Sequence, residues 1–215
     1  VSNSVARDPW RDRIADAVRE EILAGQLKAG DRVREDAVAE RFGVSRVPVR
    51  EALRRLESEG FITLTPYRGA TVSETSRRDS LEFMQVRRGL EVLAAQLAAR
   101  ARGGSQAVEL KAIVERGREA SRAHRLDDLP PLIMEFHEIV AAASGNRRLV
   151  AMLDQVLRRI SWGFELDLEG RLDSSWADHA AIAQAILSGS VVQAGYLMDE
   201  HIAKDEQLYQ SIYPE

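Results

Sequence analysis

The 215-residue sequence predicts a mainly α-helical protein in two parts, residues 1–73 and residues 74–215. Three observations predict it. The N-terminal part has short helical patterns punctuated by glycines and ends in FITLT-PYRG-ATV, two strand-like runs around a four-residue turn. The composition then shifts to a polar linker at SETSRRD, residues 73–79. Beyond that linker every segment carries helical periodicity, and six helices with short connections make an all-α bundle.

Each element has its own signal. Asp8 and Pro9 form a helix start, an N-cap followed by a residue that needs no N–H in the first turn. Ile14, Val18 and Ile22 give that helix an apolar stripe, and Gly25 ends it. KAGDRV reads as a turn, and a short helix over about 35–41 buries Val38 and Phe42. Gly43 breaks it, Ser45 is the natural N-cap of the next helix, and Pro48 falls in the first turn, where its missing donor costs nothing. Val49, Leu53 and Leu56 line the buried face, Gly60 stops the helix, and the hairpin follows. Helix, helix, short turn, helix, hairpin is the winged helix-turn-helix layout, in which the helix after the turn enters a DNA major groove by its N-terminal end.

The second part opens with a long helix whose Phe83, Val86, Leu90, Leu93 and Leu97 recur at helical spacing. GGSQ (103–106) separates it from a helix over about 106–124, and RLDDLPP leads into another over about 130–143. SGN (144–146) precedes a fourth over about 147–168, GRLDSS a fifth over about 175–188, and SGS a sixth over about 190–212.

Composition narrows the function classes. A hydrophobic share of 45% and a charged share of 30% are those of a globular protein. No apolar run approaches the length of about 18 residues that reads as a membrane span. The polar start VSNSVARDPWRDR lacks the apolar stretch of a signal peptide, and the absence of cysteine removes disulfides and thiolate metal sites, so a cytoplasmic location is expected. The net charge of −4 suggests no nucleic acid by itself, but residues 41–55 carry Arg41, Arg46, Arg50, Arg54 and Arg55 against Glu51 alone. On a helix, Arg46, Arg50 and Arg54 share one side, away from the apolar stripe. A guanidinium fork matches guanine O6 and N7 with two hydrogen bonds and also pairs with phosphate. Arg46 and Arg50 lie where a recognition helix meets base edges; Arg54 and Arg55, further along, are expected to face phosphate.

At this point the sequence resembles a known family. LKAGDRVREDAVAERFGVSRVPVREALRRLESEGFITLTPYRGATV is similar to the DNA-binding domain of GntR-family bacterial transcription regulators, most specifically in GVSRVPVREALRRLESEG. VRRGLEVLAAQLAAR, EFHEIVAAASGN, ADHAAIAQAIL and MDEHI resemble the effector-binding FCD domain of the FadR-type branch, in its six-helix, VanR-like form. Together the two matches span about residues 10–210. One small reading head with so few basic residues gives modest affinity, so a homodimer with two heads on one two-fold axis and a pseudo-palindromic operator in double-stranded DNA are expected. The resemblance implies that the helical domain joins the dimer. It also implies that a small organic acid is the effector. Arg46 and Arg50 would contact the major groove, supported by Ser45 and Val47, with Arg68 and Gly69 at a wing tip in the minor groove. Asp36 stands where this branch often has a base-reading arginine.

His137, His179 and His201 fall on three different helices, each among apolar neighbours, and from spacing alone they read as core residues or as ligands. The resemblance implies a divalent metal at these three positions, zinc or nickel by donor type, since neutral imidazole suits those ions better than magnesium or calcium. The family's fourth ligand, an Asp one turn before the first histidine, is here Ile133. Arg87, four residues before Glu91, reads by itself as a surface ion pair, and by resemblance as the holder of an anionic effector, with Asn146 as a second pocket residue. Trp162 and Trp176 are pocket walls or core.

The alternative is a metal-dependent small-molecule hydrolase or a plain ligand-binding module built on the same histidines. HEIVA at 137–141 begins like the zinc-protease pattern but ends in Ala141, so that motif fails. No nucleophile elbow, phosphate loop or dinucleotide fingerprint is present, and no enzyme is expected.

Overall fold

The computed structural model describes residues 9–74, 77–163 and 172–212. The chain separates into two compact units, residues 1–76 with 161–163, and residues 77–160 with 164–215.

In the first unit, α1 (Pro9–Leu23) buries Ile14, Ala15, Val18 and Ile22, the stripe its spacing predicts. The Asp8 cap lies outside the described residues. β1 (Arg32–Val33) is followed by α2 (Glu35–Phe42), α3 (Arg46–Ser58), β2 (Ile62–Thr65) and β3 (Gly69–Val72). The strands form an antiparallel sheet in the order β1-β3-β2, with Thr63 opposite Thr71 and Val33 opposite Ala70. KAGDRV was expected as a turn alone; its last two residues are instead β1, which pairs with β3. A two-residue strand is too short to show a period of two in sequence, and its pairing is set by the hairpin beside it. Val33, Ile62, Ala70 and Val72 close the core over Val49, Leu53 and Leu56 of α3.

The second unit holds α4 (Arg77–Arg100), α5 (Ala107–Arg122), α6 (Leu129–Ala143), α7 (Arg147–Gly163), α8 (Leu172–Ser188) and α9 (Val191–Ile212). α4 packs against α6, α8 and α9, and α5 against α6 and α8. The expected extension of α7 to about 168 lies outside the described residues. α4 departs from its predicted face: Val86 and Leu93 are 52% and 43% exposed, whereas Met84, Arg87, Glu91, Ala94, Ala95, Ala98 and Ala99 are buried. The larger aliphatic side chains drew the prediction to a neighbouring stripe. Alanines let helices approach closely, and a paired Arg and Glu occupy the same inward face. Among the described residues, no helix is long and apolar enough to cross a membrane.

Candidate functional site

Gly43, at φ 64, takes the left-handed conformation that ends α2 and turns the chain toward α3. Ser45 occupies the N-cap position at φ −71 and ψ 169, yet its hydroxyl makes no cap bond and stays exposed. Burying Val49, Ala52, Leu53 and Leu56 leaves the opposite face of α3 to Arg46, Val47, Arg50 and Arg54, all exposed. Val47 is 63% exposed, an apolar group presented to solvent at the helix N-terminus, where thymine methyls are read in other major-groove complexes. The side chains of Arg46, Arg54 and Arg68 make no ion pair among the described residues.

Arg50 differs. Its Nε donates to Glu35 Oε2 of α2 at 2.8 Å. Arg55 was expected to face phosphate and does not: it pairs with Asp12 at 2.9 Å and Glu59 at 2.8 Å, tying α3 to α1. Asp36 is held by Arg34 at 2.8 Å, and the hydrogen bond from Arg34, with a further one from the Ala37 N–H, lowers its carboxyl to about 2. At the wing, Arg32 of β1 donates from Nε to the Arg68 carbonyl at 3.2 Å. Tyr67, at φ 63, projects fully exposed beside Arg68, and Gly69 follows at φ 87.

In the second unit the three histidines converge. His137 of α6, His179 of α8 and His201 of α9 are buried, and one ring nitrogen of each lies within 4.8 Å of the others. His179 Nε2 and His201 Nε2 are 3.1 Å apart. Phe136 stacks on His179 at 4.2 Å between centroids, and Trp176 meets it edge-on at 4.7 Å. The Trp176 Nε1–H is buried with no hydrogen-bond partner among the described residues.

Charged groups surround the imidazoles. Arg87 is buried, its Nε donating to Glu91 Oε1 at 2.6 Å and its Nη1 to Asp205 at 3.3 Å, so it is no surface pair. Glu91 Oε2 hydrogen-bonds His137 Nδ1, and Arg87 Nη2 is 3.2 Å from His137 Nε2. Burial opposes the charge of Glu91, but His137 and Arg87 outweigh it and the carboxyl falls to about 2. Burial likewise lowers His137, against the pull of Glu91. The pair is thus carboxylate and neutral imidazole, with the proton on Nδ1 and the Nε2 lone pair directed away from Glu91. Asp178 stands in the same relation to His201 Nδ1, at 3.5 Å, and accepts from Lys204 at 2.8 Å. The His201 hydrogen bond is the main cause of its lowering to about 2.

The donor set suits a divalent metal of the zinc type: three imidazoles, two with Nδ1 facing carboxylates in the manner of outer-shell partners. The contacts of His137 Nε2 to Arg87 Nη2 and of His179 Nε2 to His201 Nε2 are ones a metal would replace. Ile133, one turn before His137, contributes only packing. Asn146 is not brought to this cluster. Its Oδ1 accepts from the Arg148 and Leu149 N–H groups at the start of α7, and it lines a shallow surface cavity with Leu97, Ser144 and Arg147. Trp162's side chain lies outside what the structure describes. Reasoning from sequence missed Glu35, Asp178 and Asp205. The last had a signal, since it follows His201 by four residues on one helix face.

Comparison with known proteins agrees with both units. The family model of bacterial regulatory proteins of the gntR family matches residues 11–72, and that of the FCD domain matches residues 82–204. An uncharacterized HTH-type transcriptional regulator, YdhC of Bacillus subtilis, is 30% identical over 149 residues, covering 69% of this chain and 66% of its own length. A probable D-xylose utilization operon transcriptional repressor of Paenarthrobacter nicotinovorans is 27% identical over 207 residues, covering 94% and 90%. E. coli McbR/YncC shares the fold with a TM-score of 0.75 at 23% identity, over 96% of this chain and 100% of that one. These relatives are described as regulators, which leaves the hydrolase alternative without support. The chain belongs to the GntR family of bacterial regulatory proteins, a transcriptional regulator in which a winged helix-turn-helix is followed by an FCD domain.

Proposed function

We propose that this regulator is a cytoplasmic homodimer whose hold on a pseudo-palindromic operator is set by a small organic acid bound beside the histidines. Arg46 and Arg50 read base edges, Val47 contacts a thymine methyl, Ser45 and Arg54 hold phosphates, and Arg68 and Gly69 enter the minor groove. Support comes from the exposure of all these residues on the α3 face and the wing. His137, His179 and His201 hold a divalent cation, zinc or nickel, which when bound supplies a Lewis-acidic site for a carboxylate oxygen. Arg87 places a guanidinium next to it, shared with Glu91 and, more loosely, with Asp205. The Trp176 Nε1–H, without a partner among the described residues, is a donor of the kind that a ligand or water oxygen satisfies.

The observation that carries this reading is the meeting of three buried imidazoles with one buried arginine. A cation and a guanidinium in one enclosed place select for an anion. Thermal denaturation with a panel of small carboxylates, with and without zinc, tests it, because a ligand that binds only the folded state raises the melting temperature. D-xylose, taken from the description of the Paenarthrobacter relative, enters as a neutral comparator. A carboxylate that raises the midpoint more in the presence of zinc, and alters DNA affinity at the same concentration, is the expected result. A shift with xylose alone, or none with any carboxylate, overturns the anionic effector. On the DNA side, Arg46→Ala and Arg50→Ala should each lose about 1–3 kcal/mol of discrimination at one base position.

A further inference from the structure

We infer that Glu35 is a specificity-determining residue of the DNA-reading face, positioning Arg50 so that only the end of its guanidinium is offered to a base. The inference rests on the reading that Arg50 contacts a base edge. Glu35 is the first residue of α2 and Arg50 lies one turn into α3 after Arg46, so the pair bridges the two helices of the motif. The Oε2–Nε separation is 2.8 Å, with side-chain exposures of 30% for Glu35 and 58% for Arg50. No described protein atom engages Nη1 or Nη2 of Arg50.

A guanidinium is planar and presents five N–H groups along distinct edges. One edge combines Nε with an Nη; the other is the end formed by the two Nη groups. Either can meet guanine O6 and N7 in two parallel hydrogen bonds, and each sets a different side-chain path from the helix. With Nε committed to Glu35, the side edge is used up and the end edge remains. The carboxylate thereby chooses the mode of approach and orders a side chain that otherwise samples many rotamers.

The charge of Glu35 also sorts the targets of Arg50. A free arginine at a recognition helix pairs with phosphate as readily as with a base. A carboxylate at 2.8 Å offsets its positive charge and repels phosphate oxygen, while the uncharged guanine edge suffers far less. Arg54, which has no carboxylate partner among the described residues, carries the non-selective attraction on the same face. An ion pair this exposed contributes little to stability, so its consequence lies in recognition rather than in folding.

The test uses the full chain and an operator selected by the wild-type protein from a random DNA pool. Wild type, Glu35→Gln, Glu35→Asp, Arg50→Ala and the Glu35→Gln/Arg50→Ala double variant are compared on that operator, on its single-base variants and on scrambled DNA. Glu35→Gln should lose about five- to tenfold of the discrimination at the base that Arg50 reads, part of what a bidentate contact supplies. Its binding to scrambled DNA should be unchanged or slightly tighter. Glu35→Asp keeps the charge at the start of α2 but is one methylene too short, so it should lose discrimination at that base without the gain on scrambled DNA. The double variant should discriminate no worse than Arg50→Ala alone, since neither group acts without the other. Full discrimination in Glu35→Gln and Glu35→Asp, with Arg50→Ala defective, overturns the role of Glu35 and leaves Arg50 as a base reader. Tighter operator binding by Glu35→Gln with discrimination intact makes the contact inhibitory and equally overturns it. Unaltered discrimination at every base in Arg50→Ala instead overturns the assignment of Arg50 itself.

Discussion

Ile133 lies one turn before His137 on α6 and packs against the core, so an oxygen ligand placed there would share the face of His137. In the metal-free protein Ile133→Asp puts a carboxylate into a half-buried, mostly apolar place and should lower stability by about 1–3 kcal/mol. With zinc present the same carboxylate adds a ligand and a negative charge, and zinc affinity should rise about tenfold or more, roughly 1.4 kcal/mol. The two conditions make the experiment decisive: the midpoint should fall in chelator, and saturating zinc should restore about 1.4 kcal/mol of that loss. His179→Ala should abolish zinc binding, measured by titration calorimetry. If wild type binds no zinc and Ile133→Asp lowers the midpoint equally under both conditions, the histidines are core residues. The histidines were legible in sequence because three helices each carried one on an apolar face. Their carboxylate partners were not, because Glu91 and Asp178 reach imidazoles on other helices, and such contacts depend on packing that no local pattern encodes.

Helix against helix, α8 lays the Trp176 ring directly on Gly117 of α5. A Cβ added to Gly117 would lie 2.2 Å from the Trp176 ring, and Trp176 is itself buried in the core, so neither side has room to give. Alanine is the better helix former by about 1 kcal/mol, yet overpacking should win, and Gly117→Ala should destabilise by about 1–3 kcal/mol or more. Gly89 on the exposed side of α4 has nothing within 4 Å of an added Cβ, so Gly89→Ala should instead be neutral or stabilising by up to about 1 kcal/mol. Chemical denaturation of both variants checks the pair; a stabilised Gly117→Ala would falsify the close packing of Trp176 on α5. The elements themselves were legible where a breaker and an apolar period coincide, as at Gly43 before α3 and Gly60 after it. They were misread where small residues do the packing, as along the alanine-rich face of α4, because alanine carries little signal in a hydrophobic pattern although it decides how closely helices meet.

At the scale of the whole molecule, the α3 face and wing of one head offer few cations without an ion pair among the described residues, namely Arg46, Arg54, Arg68 and the neighbouring Arg32. Arg50 is partly offset by Glu35, and Asp36 is offset by Arg34. So small a positive face on a chain of net charge −4 suits binding by two heads at once. That proposal has a numerical consequence. Each phosphate neutralised on duplex DNA adds about 0.9 to the steepness of log affinity against log salt. Arg54→Ala deletes one such contact per head. A dimer bound through both heads should therefore lose about 1.8 from its slope, whereas a complex bound through one head loses about 0.9. The loss should be the same on operator and on scrambled DNA bound in the same mode, since phosphate carries no sequence information. Arg46→Ala, by contrast, should alter the slope little if it reads a base, and should weaken the operator selectively. Titrations at several salt concentrations, paired with sedimentation of the same samples, connect the slope to the number of chains on the DNA. A dimer in sedimentation whose slope falls by only about 0.9 would mean that one head binds at a time, and the pseudo-palindromic operator would then be wrong.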